Sequence, residues 1–456
     1  MGGITVNEAV FKAYDIRGLY PKEFDKKFAY QLGKAFVEFT KSKEIVVGFD
    51  GRNGSKQLFD SLTKGLTEQG ASVTNIGLVS TPQFFFAVFN GKYDGGIIIT
   101  ASHNPKQYNG FKLTTKNAEP IYSENGLMEV MDLMKNNKFS KPPRRGRVKK
   151  KDFSKEYTKF LKGFLPGSAK DKQSAKELKL VIDQSNGSGA AEVSLLKSFF
   201  PKAKVLNARI SGSFPGHDPN PMKPEARKRL VSEVKKVKAD LGVIFDGDAD
   251  RVCFIDEKGG FVRPDLILCL LADELRKGKV VYDTRSSKVI PELCARKSLE
   301  AVMSKSGRTY IMHAMKNENA VLGGEGSGHY FFREFKYLDN ASIAAIKALN
   351  RVLKEKASGG KSFSGIMSAY NTYHHSGELN FKVKNQSKAF LLVEQAFSDA
   401  RKTLFIDGIS VYYDDFWFNV RKSNTEPLIR VNAEANTSEG LKKVTQKLQK
   451  IMSLAK

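Results

Sequence analysis

Short apolar runs rich in isoleucine and valine alternate along the chain with longer stretches of mixed charge at helical spacing. Three runs share one pattern, in which a buried-strand signal ends at an aspartate, a turn of small polar residues follows, and a helix-like stretch comes next. They occupy residues 44–50, 180–183 and 280–283. The alternation predicts α/β domains with mixed, mostly parallel sheets, and the recurrence predicts three related units.

After residue 370 the pattern changes. Strand-like segments at 378–383 and 417–420 accompany amphipathic helical stretches at 389–404 and 438–452, which predicts a C-terminal α+β domain.

Residues 141–151 separate the first two units and contain seven basic residues without apolar periodicity. We predict a solvated linker there. The alternative is a patch for nucleic acid or an acidic partner, which is disfavoured because no aromatic residues interleave for base stacking. The predicted domain boundaries are 1–145, 152–252, 253–367 and 368–456.

The composition is that of a soluble globular protein, with 41% hydrophobic and 27% charged residues in a chain of 456. The longest apolar runs, 84–89 and 266–272, are far shorter than the roughly 18 residues that cross a bilayer. Charged residues from Glu8 onward leave no room for a signal peptide. The three cysteines form no CxxC pair, so neither a disulfide framework nor a thiolate metal site is predicted. We expect a cytoplasmic protein.

The net charge is unusual, because 75 Lys and Arg against 49 Asp and Glu leave +26. Such a field attracts polyanions and small anionic ligands alike. A basic nucleic-acid-binding protein is therefore the hypothesis from a different functional class.

An apolar strand at 239–245 leads into Asp246, Asp248 and Asp250. Carboxylates gathered this closely repel one another and require a cation, and three carboxylate oxygens suit Mg²⁺. An exposed acidic turn is the alternative for the segment as a whole. An EF-hand is excluded because Arg251 stands where the loop needs glycine. A haloacid-dehalogenase-type phosphatase, with Asp246 as nucleophile, remains open, although Asp250 replaces the Thr or Val usual in that motif.

A second buried strand at 95–99 opens into a turn that carries Ser102. A serine between strand and turn can be held rigid and exposed, as a nucleophile requires, and an ST-turn or helix cap is the alternative. We do not expect His103 to serve Ser102 as a base, because adjacent side chains diverge. Lys112 brings an amine within reach of the turn.

Two later loops carry groups suited to a sugar phosphate. The glycine-rich segment 322–329 projects Glu325, Ser327 and His329, which suit vicinal sugar hydroxyls, with a structural turn as the alternative. The segment 421–430 gathers donors that suit a phosphate, namely Arg421, Ser423, Asn424, Thr425 and Arg430.

In this order the four segments closely resemble the α-D-phosphohexomutase superfamily, which includes phosphomannomutase and phosphoglucomutase. The resemblance spans nearly the whole chain and includes Tyr14-Asp-Ile-Arg17, Thr-Ala-Ser102-His-Asn-Pro and Asp246-Gly-Asp-Ala-Asp-Arg251. It continues through Gly-Glu325-Gly-Ser-Gly-His329 and Arg421-Lys-Ser-Asn-Thr-Glu-Pro. It implies a heart-shaped enzyme of three related α/β domains and a C-terminal α+β domain.

The resemblance also implies the chemistry. Ser102 carries a phosphoryl group, and one Mg²⁺ per active site is held by Asp246, Asp248, Asp250 and an oxygen on Ser102. A hexose 1,6-bisphosphate is the intermediate and activator. The implied catalytic residues are Ser102, Lys112, Arg17, Arg251 and His329, with Lys112 and His329 as candidates for proton transfer. For Lys112 the alternative is a surface lysine, and for Arg251 a salt bridge within the metal loop.

The implied substrate-binding residues are Tyr14, Arg251, Arg285, Arg308, Glu325, Ser327, His329, Arg421, Ser423, Asn424, Thr425 and Arg430. One stretch departs from the family pattern, since Arg308 and Met312 stand where many relatives have histidine and lysine. The proton-transfer role of that stretch is left open, whereas the Arg308 guanidinium can still bind a phosphate.

The segment 415–432 is more similar to phosphomannomutases than to phosphoglucosamine mutases, and Gly326 is not the glutamine expected in the latter. The resemblance therefore implies interconversion of mannose 6-phosphate and mannose 1-phosphate, with glucose phosphates as further substrates and phosphoglucosamine mutase as the alternative. The expected partners are hexose phosphates, without membrane or nucleic acid, in a monomer or homodimer.

Overall fold

The computed structural model of the protein describes residues 6–422 and 428–455. By its internal contacts the chain forms two compact units. The first unit comprises the described residues up to Val262 together with Ser327–Ser364. The second comprises Arg263–Gly326 and the described residues from Gly365 onward.

A seven-stranded mixed sheet forms the first part of the first unit, with strand order β1-β5-β4-β2-β3-β7 and β6 paired to β5. Its strands are β1 (Ile16–Leu19), β2 (Glu44–Phe49), β3 (Ser72–Leu78), β4 (Gly95–Ile99), β5 (Tyr108–Thr115), β6 (Pro120–Ile121) and β7 (Val148–Lys150). β2 runs parallel to both β3 and β4, whereas β5 is antiparallel to β4 and β1.

The helices of this part are α1 (Lys26–Thr40), α2 (Ser55–Glu68), α3 (Thr81–Asn90) and α4 (Met128–Asn136). The Asp25 carboxylate begins α1 by accepting hydrogen bonds from the N–H groups of Lys27 and Phe28, which have no partner within the helix. Apolar side chains of α1, α2 and α4 form one buried core with those of β2, β4 and β5.

A five-stranded sheet follows in the same unit, with strand order β12-β11-β10-β8-β9. Its strands are β8 (Leu180–Asp183), β9 (Lys204–Leu206), β10 (Leu241–Phe245), β11 (Val252–Asp256) and β12 (Phe261–Val262). Its helices are α5 (Ser154–Lys162), α6 (Ala169–Glu177), α7 (Ala190–Phe199) and α8 (Pro224–Val237).

The third α/β segment begins in the second unit and ends in the first. In the second unit lie α9 (Pro264–Asp273), β13 (Lys279–Asp283), α10 (Val289–Arg296), β14 (Glu300–Ser304), α11 (Arg308–Asn317) and β15 (Leu322–Gly324). In the first unit lie the antiparallel strands β16 (Tyr330–Phe332) and β17 (Leu338–Asp339), followed by α12 (Ala341–Ala357).

The predicted threefold repeat is present in the sheets. β2, β8 and β13 each lie between two parallel neighbours, in the orders β4-β2-β3, β10-β8-β9 and β15-β13-β14. The aspartate that ends each run, Asp50, Asp183 or Asp283, accepts a hydrogen bond from the N–H two residues later. The repeated aspartate therefore fixes the turn that follows the central strand.

The C-terminal part of the second unit is an α+β fold, as predicted. The chain enters it through α13 (Phe363–Met367) and continues through β18 (His374–Phe381), α14 (Gln386–Ala396), β19 (Lys402–Leu404), β20 (Ile409–Tyr412), β21 (Phe416–Lys422), β22 (Ile429–Ala435) and α15 (Ser438–Leu454). The sheet is antiparallel throughout, in the order β18-β22-β21-β20-β19, and packs against α14 and α15.

Three segments differ from the sequence-based predictions. The helix predicted at 389–404 ends at Ala396, because residues 402–404 pair with β20 as strand β19. Residues 148–150 of the predicted linker form β7, which pairs with β3 and extends the first sheet past the predicted boundary at 145. The second sheet likewise extends past the predicted boundary at 252, because β11 and β12 pair antiparallel beside β10.

Among the helices described, none combines the length and the apolar composition that crossing a bilayer requires. Cys253, Cys269 and Cys294 are buried free thiols.

Candidate active site

Ser102 lies in the turn after β4, in a backbone conformation that L residues rarely adopt. Its φ is +52°, and its N–H donates to Thr100 Oγ1 at 2.9 Å. The residue is 1% exposed, and Ser102 Oγ lies 3.4 Å from Asp246 Oδ2. No helix begins at this serine in the described chain, so the helix-cap interpretation is wrong.

The expectation that His103 diverges from Ser102 is also wrong. His103 Nδ1 lies 3.0 Å from Ser102 Oγ, because the left-handed backbone at Ser102 turns the two side chains toward each other. Burial, together with the positive charges of Arg251 and Arg17, holds the pKa of His103 well below its usual value. The imidazole is therefore neutral at pH 7.

Asp246, Asp248 and Asp250 follow β10 and are all fully buried. One ligand atom from each can be chosen so that all three lie within 4.8 Å of one another. Asp246 Oδ1 accepts hydrogen bonds from the N–H groups of Asp250 at 3.1 Å and Arg251 at 3.2 Å. Asp248 Oδ2 accepts one from Thr81 Oγ1 at 2.6 Å. The exposed-turn interpretation is therefore wrong.

Lys112 is part of this acidic cluster and not a surface residue. It is 7% exposed, and its Nζ donates to Asp248 Oδ2 at 2.7 Å and to Asp250 Oδ2 at 2.6 Å. Burial and the charges of Asp250 and Asp248 raise the pKa of Asp246 well above its usual range. Burial opposes ionisation of Asp250 too, but Lys112 and His329 hold its pKa well below that range.

The acidic cluster is suited to a divalent cation. Within residues 6–422 and 428–455, the buried Asp248 Oδ1 has no hydrogen-bond donor. The Lys112 ammonium forms ion pairs with Asp248 and Asp250, and Arg251 Nε lies 3.8 Å from Asp246 Oδ2. An all-oxygen donor set with excess negative charge fits Mg²⁺.

Two arginines border the cluster within the first unit. Arg17 forms a two-oxygen contact with Asp15, and its Nη1 donates to Asn104 Oδ1 at 2.9 Å. Arg251 Nε donates to His329 Nε2 at 3.2 Å, so its contacts extend beyond a salt bridge to Asp246.

Other predicted residues of the first unit lie close by. Ser327 Oγ lies 3.0 Å from His329 Nδ1. The Gly328 carbonyl accepts a hydrogen bond from the N–H of Val252, which directly follows residues 246–251 of the acidic cluster. Tyr14 is half-buried, directly before the Asp15 that binds Arg17.

A second cluster lies in the second unit. Arg285 Nε donates to Asp283 Oδ2 at 2.7 Å, and Arg285 Nη2 lies 3.7 Å from Glu325 Oε1. Glu325 Oε1 accepts the N–H of Gly307 at 2.7 Å, and Arg308 follows as the first residue of α11. The structure thus brings Arg285 and Glu325 together and places the start of α11 beside them.

Arg421 and Arg430 occupy directly paired positions on β21 and β22. Glu378 on β18 contacts both, with Oε2 3.3 Å from Arg421 Nη2 and Oε1 3.2 Å from Arg430 Nη1. Burial and the charge of Arg285 lower the pKa of Arg421. The predicted Ser423, Asn424 and Thr425 lie outside the described residues.

Three residues that hold these groups were not predicted from the sequence. Thr81 bonds Asp248, Arg52 bonds the main chain of the Ser102 turn, and Glu378 pairs with both strand arginines. Only Arg52 carried a recognisable signal, since it lies in the first of the three repeated turns.

Comparison with known proteins covers nearly the whole chain. Residues 8–141, 155–260 and 263–373 match alpha/beta/alpha domains I, II and III of the phosphoglucomutase/phosphomannomutase family. Residues 378–451 match its C-terminal domain.

Individual relatives align end to end. A phosphomannomutase of Methanocaldococcus jannaschii is 37% identical over 97% of this chain and 97% of its own length. One of Escherichia coli is 36% identical over 98% of this chain and 99% of its own. The crystal structure of a phosphoglucomutase/phosphomannomutase family protein from Burkholderia thailandensis has a TM-score of 0.88 at 27% identity, covering 99% of this chain and 98% of that one.

Proposed function

Since the chain belongs to the phosphoglucomutase/phosphomannomutase family and is a phosphohexomutase, we propose that it interconverts mannose 6-phosphate and mannose 1-phosphate. Glucose phosphates are further substrates in this proposal. The observation that carries it is the buried Ser102 hydroxyl, 3.4 Å from Asp246 at the edge of a three-carboxylate cluster.

In this mechanism Ser102 is the phosphoryl carrier. The bond between phosphorus and Ser102 Oγ breaks, and a bond from phosphorus to the free O1 or O6 of a hexose monophosphate forms. The sugar hydroxyl gives its proton to a base of the enzyme, and Ser102 Oγ takes up a proton. In the return step the bond from the other phosphorus of the hexose 1,6-bisphosphate to its sugar oxygen breaks and a bond to Ser102 Oγ forms, while Ser102 Oγ loses its proton and the released sugar oxygen takes one up. Each turnover thus leaves the enzyme phosphorylated, and no external phosphate donor is consumed.

Asp246, Asp248 and Asp250 would hold Mg²⁺ together with a phosphoserine oxygen. When bound, the metal neutralises charge that develops on the transferring group. Arg17 and Arg251 add fixed positive charge beside Ser102, and both are anchored, Arg17 on Asp15 and Arg251 on His329.

Lys112 and His329 are the proposed proton carriers for the sugar hydroxyl. Both lie against Asp250, Lys112 Nζ at 2.6 Å and His329 Nε2 at 3.4 Å. His103 supports the chemistry at the serine itself, because a neutral imidazole 3.0 Å from Ser102 Oγ can accept its proton before phosphorylation.

Other residues supply recognition in this proposal. Glu325 and Ser327 bind vicinal sugar hydroxyls. Arg285 lies beside Glu325, and Arg308 begins α11. Arg421 and Arg430, with Ser423, Asn424 and Thr425, bind the phosphate that is not reacting. Paired guanidinium groups on neighbouring strands suit a phosphate because each offers a planar fork of donors.

The mannose preference rests on the relatives. Proteins of Methanocaldococcus jannaschii and Escherichia coli that are 37% and 36% identical to this chain are named phosphomannomutases. Gly326 also departs from the glutamine of phosphoglucosamine mutases.

The test compares kcat/KM for mannose 1-phosphate, glucose 1-phosphate and glucosamine 1-phosphate, with Mg²⁺ and a trace of hexose 1,6-bisphosphate present. We expect mannose 1-phosphate to be the best substrate and glucosamine 1-phosphate the poorest. Ser102→Ala should lower mutase kcat by about a thousandfold or more. A Ser102→Ala variant that still releases phosphate from sugar phosphates at the wild-type rate would indicate instead a phosphatase that uses Asp246.

A further inference from the structure

Arg52 lies in the turn after β2, and its guanidinium is enclosed by the loop that carries Ser102. The side chain is 1% exposed. Nη2 donates to the main-chain oxygens of Ser102 and Asn104, both at 2.6 Å, and Nη1 donates to those of Pro105 at 3.0 Å and Tyr108 at 3.1 Å. One rigid group therefore bonds both ends of the loop.

The guanidinium is fixed from two further sides. Its Nε lies 3.2 Å from Asp50 Oδ2, and its central carbon lies 4.9 Å from the centre of the Phe214 ring. Asp50 is held in turn by the N–H of Arg52 at 3.0 Å and by Ser55 Oγ at 2.7 Å. If Arg52 left this position, the buried Asp50 carboxylate would lose its ion-pair partner.

The loop requires such a restraint. Ser102 has a φ of +52°, which side-chain-bearing residues adopt only where the surroundings impose it. Four carbonyl oxygens also face the two terminal nitrogens of one guanidinium, and without a cation between them they would repel one another. Arg52 supplies that cation at the centre of the loop.

We propose that Arg52 is a positioning residue for phosphoryl transfer. It holds the main chain of the loop from Ser102 to Tyr108 and so fixes Ser102 Oγ against the acidic cluster. This inference rests on the proposed function, because it takes Ser102 as the phosphoryl carrier. A lysine at this position keeps the charge but lacks the planar fork that four carbonyls require.

The first test is Arg52→Lys. Because small displacements of a reacting atom are costly, kcat should fall about a hundredfold. KM should stay within about threefold of the wild-type value, because the substrate-binding groups are unchanged. The rate at which labelled hexose 1,6-bisphosphate phosphorylates Ser102 should fall by the same factor as kcat.

Arg227 offers a matched control in the same unit. Its Nη1 donates to the carbonyls of Pro221 at 2.7 Å and Met222 at 2.8 Å, and its guanidinium lies 3.8 Å from the centre of the Phe261 ring. Arg227→Lys loses similar contacts away from Ser102, so it should keep the wild-type kcat even where its melting temperature falls.

Chemical rescue separates positioning from folding. Millimolar guanidinium should raise the kcat of Arg52→Ala about tenfold or more, since the ion can refill the space between the carbonyls, and should leave Arg227→Ala unchanged. If Arg52→Ala does not fold, Asp50→Asn is the second variant. It loosens the guanidinium and should lower kcat at constant KM.

The proposal is overturned if the kcat of Arg52→Lys equals that of Arg227→Lys. It is also overturned if the fall in kcat of Arg52→Lys matches its loss of folded protein and guanidinium does not raise the kcat of Arg52→Ala. Wild-type protein that takes no label on Ser102 would instead overturn the proposed function, and this inference with it. Labelled wild-type Ser102 with an unaffected Arg52→Lys would overturn the positioning role alone.

Discussion

Lys112 offsets part of the electrostatic repulsion among the three buried carboxylates of the acidic cluster. Its ammonium bonds Asp248 and Asp250 at 2.7 and 2.6 Å, in a region where all three carboxylates are fully buried. A buried ion pair that loses one partner leaves an uncompensated charge, which is far costlier than the loss of an exposed pair.

We therefore expect Lys112→Met to be destabilised by about 3–5 kcal/mol in EDTA. Mg²⁺ should recover much of that loss, because it replaces the missing positive charge. Thermal unfolding with EDTA and with Mg²⁺ measures both effects.

The control is Lys56→Met, which removes an ion pair to Asp60 whose side chains are 61% and 59% exposed. The free energy of unfolding of that variant should lie within about 1 kcal/mol of the wild-type value in either buffer. Equal melting temperatures for Lys112→Met and wild type in EDTA would contradict the role given to Lys112.

Glu192 is a buried acid on α7, outside the acidic cluster. Burial raises the pKa of its carboxyl from 4.5 to about 7, and it accepts a hydrogen bond from Ser80, the residue that caps α3. At a pH between 4.5 and about 7, the Glu192 carboxyl is protonated in the folded state and ionised in the unfolded state. The contribution of Glu192 to stability is therefore fully present below pH 4.5 and is lost as the pH rises to about 7.

Glu192→Gln should remove this pH dependence. Between pH 5 and pH 8 the wild type should lose up to about 3 kcal/mol relative to the variant, because each pKa unit corresponds to about 1.4 kcal/mol. Chemical denaturation of both proteins across this pH range measures the difference. Parallel stability curves for the two proteins would contradict the prediction.

At the scale of elements, α1 and α2 approach each other closely through two glycines. A Cβ on Gly33 would lie 2.5 Å from the carbonyl oxygen of Leu62, and one on Gly65 would overlap the carbonyl oxygen of Tyr30. Both obstacles are backbone atoms, which cannot move aside as flexible side chains do.

Gly65→Ala should therefore destabilise the protein by about 1–3 kcal/mol, although alanine is the better helix former by about 1 kcal/mol. Urea denaturation measures the change. Gly167→Ala is the control, since nothing lies within 4 Å of the position of its Cβ, and it should stay within about 0.5 kcal/mol of wild type. A more stable Gly65→Ala variant would contradict the close packing of the two helices.

The strands that were predicted correctly are those whose pattern of apolar and turn-forming residues is contained within a few consecutive positions of the sequence. The central strands β2, β8 and β13 are buried on both faces and end at a turn-forming aspartate, so each appears as a short apolar run. β7 was missed because its exposed, basic residues indicate a solvated segment, and only pairing with β3 makes it a strand. β19 was missed for the same reason, since its pairing with β20 overrides a helical pattern.

At the scale of the whole molecule, the same distinction separates the predicted from the missed site residues. Ser102, Asp246 and Lys112 lie in motifs that the sequence displays directly. Contacts such as Arg52 to the Ser102 loop and Glu378 to the two strand arginines join residues far apart in the sequence. His103 was misjudged because the left-handed backbone at Ser102 depends on the folded loop.

The net charge of +26 also acts on the whole molecule. A positive field attracts anionic sugar phosphates, and salt screens it, with a Debye length of about 10 Å at 0.1 M. We expect kcat/KM to fall several-fold between about 0.01 M and 0.3 M NaCl, mainly through KM. Steady-state kinetics at matched osmolality, with sucrose as the control, measures this effect, and a constant KM would contradict it.

Covalent labelling is the decisive test of whether Ser102 carries the phosphoryl group. Mg²⁺-loaded protein is treated with mannose or glucose 1,6-bisphosphate that bears a labelled phosphate, and the modified residue is identified by peptide mapping. We expect alkali-labile, hydroxylamine-resistant label on Ser102, with release of hexose monophosphate. Label on Asp246, or none on metal-loaded protein, would contradict the assignment of Ser102.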